Sequence, residues 1–156
     1  MKRKFFWSLV CLTSIAGIGL ATIVNAESNP TLTVVVNGVQ RSHNGQICMR
    51  VFSGNKGFPN SDESGVKSAC VPITGNSVTK QFSGLKPGTY AVGIIDDKNG
   101  DEKLNTDWLG IPKEGFGMSR NPKVSVTTGT PKFGDASFPV RKNITININM
   151  KYSLDS

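Results

Sequence analysis

Residues 85–117, LKPGTYAVGIIDDKNGDEKLNTDWLGIPKEGFG, join a strand signature to a loop in which oxygen-bearing side chains recur at alternate positions. Pro87 and Gly88 make a tight turn. Tyr90, Val92 and Ile94 then alternate with Ala91, Gly93 and Ile95, which is the period of a β-strand. From Asp97 the pattern changes. Asp97, Asn99, Asp101 and Asn105 place oxygens at every second or fourth residue, with Gly100 for the bend and Leu104 as an apolar anchor. This is the opening part of an EF-hand-like loop.

Calcium takes six to eight oxygens, and a tight loop with alternating donors turns side chains inward while backbone carbonyls fill the gaps. Asp97, Asn99 and Asp101 stand at the first three ligand positions. Lys103 offers its carbonyl, Asn105 binds directly or through water, and Asp96, Asp107 or Glu114 closes the shell. Two positions depart from the pattern: Glu102 stands where glycine permits the sharp turn, and Trp108 stands where a bidentate glutamate belongs. The same residues also suit a polar turn held by Asx hydrogen bonds, so calcium loop and Asx turn both stay open.

The chain begins Met1-Lys2-Arg3-Lys4, continues with an apolar run from Phe5 to Val24 and ends that run in Val24-Asn25-Ala26. A basic start, an apolar centre and small residues at a cleavage site read as a secretory signal peptide over 1–26. An uncleaved membrane anchor is the alternative, although Ser8, Thr13, Ser14 and Thr22 dilute the run. Cys11 lies too early for a lipidated cysteine. Residues 27–156 then form one β-sandwich domain, since about 130 residues suffice for one core and not comfortably for two.

Removal of the leader leaves 15 basic against 11 acidic residues, a formal charge of +4. The bases are scattered, and no arginine and aromatic stripe suggests nucleic acid as a partner. Cys48 and Cys70 remain, and an even count in an exported chain reads as one disulfide. Closing a loop of about 23 residues contributes roughly 3 kcal/mol in the chain-entropy model. Buried free thiols are the alternative; zinc would find at most these two and His43, without close spacing.

Strand signatures recur along the mature chain. Leu32, Val34 and Val36 alternate before Asn37-Gly38; Ile47, Met49 and Val51 alternate after the turn at His43-Asn44-Gly45, and the two runs are expected to pair as a hairpin. Ser77 to Ser83 and Gly88 to Asp96 give two more strands. Ile144, Ile146, Ile148, Met150 and Tyr152 form the clearest one. A short strand is expected at Lys123 to Thr127 and a helical turn at Ser61 to Lys67. The long irregular segment from Asp97 to Phe138 is of the kind that is functional or pinned. About seven short strands predict an all-β, antiparallel two-sheet sandwich of Ig-like or prealbumin-like type.

Leu85-x-Pro87-Gly88-x-Tyr90 resembles the turn and strand of the prealbumin-like sandwiches, which include carboxypeptidase regulatory domains. A closer resemblance covers nearly the whole mature chain. Asp97-x-Asn99-Gly100, Leu109-Gly110-Ile111-Pro112-x-Glu114-Gly115-Phe116-Gly117, Ser119, Asn121 and Pro131-x-Phe133-x-Asp135-Ala136-x-Phe138 are similar to the bacterial secreted family of unknown function numbered twenty-one forty-one. The resemblance implies an exported sandwich and carries no activity with it. Members usually have glycine where this chain has Glu102.

Trp108, Glu114 and Phe116 are a second candidate site, a flat apolar platform for a glycan or peptide with Ser119, Arg120 and Asn121 at its rim. The competing reading has Trp108 and Phe116 plugging one end of the sandwich. Catalytic constellations are weak. His43 is the only histidine and sits in an Asn-Gly turn, there is no G-x-S-x-G elbow, and Asp62, Glu63 and Glu114 are acids without a fixed separation. The expectation is therefore a periplasmic or extracellular module that is not an enzyme. Its expected partners are an envelope polysaccharide or protein, and it meets the membrane only through an uncleaved leader.

Overall fold

The computed structural model describes residues 29–40 and 45–155. The signal-peptide reading of 1–26 and the turn residue His43 lie outside them. The described residues form eight strands and one short helix: β1 Leu32–Asn37, β2 Gln46–Phe52, β3 Gly65–Pro72, β4 Ser77–Phe82, β5 Gly88–Asp97, β6 Phe116–Met118, α1 Phe133–Ala136, β7 Phe138–Val140 and β8 Ile144–Asn149. They make a three-stranded sheet in the order β4-β1-β8 and a five-stranded sheet in which β3-β2-β5-β6 run in order and β7 also pairs β5. The chain is all-β, as its alternating patterns predict.

The alternation in β1 shows why. Leu32, Val34 and Val36 are fully buried while Thr33, Val35 and Asn37 are only partly so, because successive side chains point to opposite faces of a strand. The buried set meets Ile47, Met49 and Val51 of β2 and Tyr90, Val92 and Ile94 of β5 in one core between the sheets. Each such side chain contributes about 1.5–3 kcal/mol by leaving water.

Pairing departs from expectation at several places. β1 and β2 do not form a hairpin: β1 pairs with β4 and β8, whereas β2 pairs with β3 and β5. Both strands carry an apolar face, and those faces are satisfied by opposing each other across the core. β1 and β8 run parallel, with Leu32 opposite Ile144, so the smaller sheet is mixed. Ser61 to Lys67 is no helical turn, since β3 begins at Gly65 as an edge strand beside β2. Lys123 to Thr127 is no strand either. Val124 is buried, its N–H is taken by Asp155 Oδ2, and Ser125 and Thr128 close a turn through their hydroxyls.

Cys48 and Cys70 are register partners on β2 and β3 and form a disulfide. It closes the excursion between those strands and anchors β3, an edge strand whose residues are largely exposed. The outer face of the five-stranded sheet is covered in part by a second, smaller cluster. Ala91, Met118 and Ala136 pack with Phe58 and Phe133, and Phe58 stands edge-on to both Phe52 and Phe133.

Candidate functional site

The segment after β5 is long, yet both its ends are held. β5 and β6 pair antiparallel, with Ile95 opposite Phe116, so residues 98–115 are the connection of a hairpin. At its root Asp96 N–H donates to Gly115 O at 2.8 Å, and Phe116 exchanges backbone hydrogen bonds with Lys151 just beyond β8. Gly115 is bare for a reason. A Cβ there would lie 2.4 Å from the ring of Tyr152, whose hydroxyl donates to Asp96 Oδ2 at 2.7 Å and accepts from Gln40 N–H at 2.8 Å. Burial, with the Asp96 carboxylate at the hydroxyl, pushes Tyr152 above its ordinary pKa.

Asp97 is buried at the end of β5 and organises the turn that follows. Its Oδ1 accepts from Gly100 N–H at 2.8 Å; its Oδ2 accepts from Glu102 N–H at 3.2 Å and from Gln46 Nε2 at 3.0 Å. Burial pushes its carboxyl up, and the bonds from Gln46 and the loop N–H groups outweigh that and hold it below the usual value. Glu102 adopts φ +57°, the left-handed conformation that glycine favours, so the sharp bend is made with a side chain in place. Asn99 Oδ1 accepts from Asp101 N–H, and Asp101 Oδ1 accepts from Lys103 N–H at 2.9 Å. The Lys103 N–H, then the Asn99 and Asn105 amides, lower the pKa of Asp101.

Glu114 closes the loop. It is only 6% exposed, and it spans the two ends of the turn, with Oε1 accepting from Lys98 N–H at 3.0 Å and Oε2 from Asn105 N–H at 3.0 Å. Asn105 sits at the centre. Its Nδ2 faces Asp101 Oδ1 and Oδ2, Lys103 O and Glu114 Oε2 at 3.1–3.4 Å. Asp107 serves a different turn: its Oδ1 accepts from Leu109 N–H and Ile111 N–H, both at 2.9 Å. Of the candidate ligands, then, Asp101, Lys103, Asn105 and Glu114 converge on one point and Asp97 braces the backbone around it. Among the described residues no group of three or more His, Cys, Asp and Glu is placed to hold a metal ion.

Trp108 and Phe116 are not brought to one face. Trp108 is 88% exposed at the tip of the connection, beside the exposed Leu109 and Ile111, whereas Phe116 is 3% exposed within β6. The tip is well made: Asp107 N–H bonds Ile111 O, Lys113 N–H bonds Asn105 O, and Gly110, at φ +78°, directs its N–H to Asp107 O. Ser119 is also no rim residue. It is fully buried, and its hydroxyl donates to Ala136 O at 2.6 Å while accepting from Val92 N–H at 2.9 Å. Asn121 binds the β8 edge through Asn149 N–H and Asn147 O, and Arg120 reaches Gly134 O and Ser137 O. Periodicity in the sequence marks such polar residues as available, and only their tertiary partners show them to be occupied.

Fold and site together define a β-sandwich whose longest connection is built as a closed polar loop. Residues 34–147 match the family described as an uncharacterized protein conserved in bacteria, DUF2141, and the chain belongs to that family. No curated protein and no solved structure matches it. The disulfide is compatible with an exported protein. Among the described residues no helix is long and apolar enough to cross a membrane.

Proposed function

We propose that this chain is an exported, non-catalytic module of the bacterial envelope whose loop between β5 and β6 takes up calcium. One observation carries the ion. Four oxygen atoms, from the Asp101 and Glu114 carboxylates and the Lys103 carbonyl, lie 3.1–3.4 Å from Asn105 Nδ2, so oxygens of the kind a hard cation takes are gathered at one point. Turning the Asn105 amide about its Cβ–Cγ bond exchanges its nitrogen for Oδ1 and leaves a set of carboxylate, amide and carbonyl oxygens, which is the donor chemistry of a hard cation. The carboxylates of Asp101 and Glu114 supply the charge and the amide and backbone oxygens complete the shell.

The experiment is a melting curve of the mature domain, chelated and then titrated with calcium, with magnesium as control. At calcium 10- to 100-fold above Kd the fold gains about 1.4–2.7 kcal/mol by mass action, read as a rise in Tm that magnesium does not reproduce. Affinity in the range of extracellular modules, about 10⁻⁴–10⁻³ M, sets the concentrations. Asp101→Asn keeps the hydrogen-bonding shape of the loop and removes a charge, so the rise is expected to vanish. An unchanged Tm in the wild type removes the ion and leaves an Asx-stabilised loop.

A second reading rests on Trp108. Its exposed indole, with Leu109 and Ile111 beside it on a turn that satisfies its own backbone, suits contact with an envelope glycan or peptide. Glycan-array binding that survives Trp108→Ala would remove that assignment.

A further inference from the structure

The outer face of the five-stranded sheet is not covered along its whole width. Between the connection 53–64 and the loop 98–107 lies a groove of about 410 Å³, floored by the Cys48–Cys70 disulfide and by Gly93, Ile95, Phe116 and Met118. That volume lies within the range of small-molecule sites, roughly 300–1,000 Å³. Gly93 keeps the floor low. A Cβ there would touch Phe52 at 3.5 Å and Pro59 at 3.9 Å, which is ordinary contact, so the missing side chain leaves space rather than avoiding a clash.

Arg50 projects from β2 into the same groove and is half-buried. Among the described residues its guanidinium has no ion pair and no hydrogen bond. A guanidinium that makes no ion pair keeps its donors available, and it pairs best with a carboxylate or similar oxyanion. Glu102 and Lys103, of opposite charge, also line the groove from the loop 98–107.

We propose that this groove is a binding site for a small organic anion with an apolar body, its carboxylate or sulfonate set against Arg50 and its apolar part lying on Ile95, Phe116 and the disulfide. The groove shares the loop 98–107 as one wall with the oxygen cluster around Asn105, and the test is run in chelator so that the result does not depend on calcium.

The probes are 1-anilinonaphthalene-8-sulfonate and N-phenyl-1-naphthylamine, which share a ring system and differ by the sulfonate. The mature domain is expected to bind both saturably at one site. Arg50→Ala weakens the sulfonate about tenfold and leaves the neutral probe unchanged. Gly93→Val fills the floor and removes both, with circular dichroism confirming that the sheet persists. Lys142→Ala, which removes the same unit of charge in the exposed turn before β8, leaves both unchanged. Decanoate is expected to displace the sulfonate and decanol to do so poorly. The proposal is overturned if the wild type binds neither probe saturably, if Gly93→Val leaves binding intact, or if Arg50→Ala weakens the sulfonate no more than Lys142→Ala does.

Discussion

Glu114 holds Asn105 twice: one carboxylate oxygen accepts both the backbone N–H of Asn105, at 3.0 Å, and its side-chain amide, at 3.1 Å. The other oxygen takes Lys98 N–H, so a single buried side chain ties the outgoing and returning arms of the loop. Removing it leaves those N–H groups in a part-buried setting without an acceptor. Glu114→Ala is expected to cost about 2–3 kcal/mol in urea denaturation and Glu114→Gln, which keeps one acceptor oxygen, about 1 kcal/mol. Equal losses in the two variants would show that the acceptor oxygens are not what the loop depends on.

The Cys48–Cys70 bond joins paired residues on β2 and β3 at a sequence separation of 22. Its loss frees an edge strand and restores entropy to the unfolded chain. Reduction, or the Cys48→Ala, Cys70→Ala double variant, is expected to lower stability by about 3 kcal/mol, read from urea midpoints with and without reductant.

Asp97 makes stability depend on pH. Its folded pKa is lowered from 3.8, so its contribution is present above the unfolded value and is lost as pH falls through the folded one. Below about pH 4 the wild type is expected to lose stability progressively. Asp97→Asn, compared by Tm at neutral pH and at pH 3, is expected to be weaker at neutral pH and to lose less on acidification. A parallel fall in both proteins would assign the acid sensitivity elsewhere.

Ser119 links β5 to the end of α1 through Val92 N–H and Ala136 O, both within the protein. Ser119→Ala leaves a buried donor and a buried acceptor unpaired, and a loss of about 1–3 kcal/mol is expected, with little change at Ser125→Ala on the exposed turn. Hydrogen exchange at the Val92 amide reports the same loss locally.

Much of the strand content was legible. In β1, β5 and β8 the apolar residues recur with period two, and that period depends only on the geometry of the extended chain. β3 was not legible because an edge strand that faces solvent needs few apolar residues, and Gly65-Val66-Lys67-Ser68 shows none of the alternation. β6 and β7 are three residues each and exist because the two ends of β5 offer unpaired edges there. In the loop, the alternating oxygens of Asp97, Asn99, Asp101 and Asn105 were visible. The division of labour among them was not, since Asp97 turns to Gln46 on β2 and Asp107 turns to its own tip.

By itself the sequence determined that this chain forms β-strands, that Cys48 and Cys70 are available to each other, that a polar loop follows Tyr90's strand, and which bacterial family it resembles. Each of these is written in local spacing or in side-chain chemistry. Only the tertiary structure decided which strands are neighbours, that β8 runs parallel to β1, that Glu114 is the loop's clasp while Trp108 stands in solvent, and that Arg50 lies unpaired in a groove. Those outcomes depend on which faces must oppose each other to exclude water, and residues far apart in the chain settle that together.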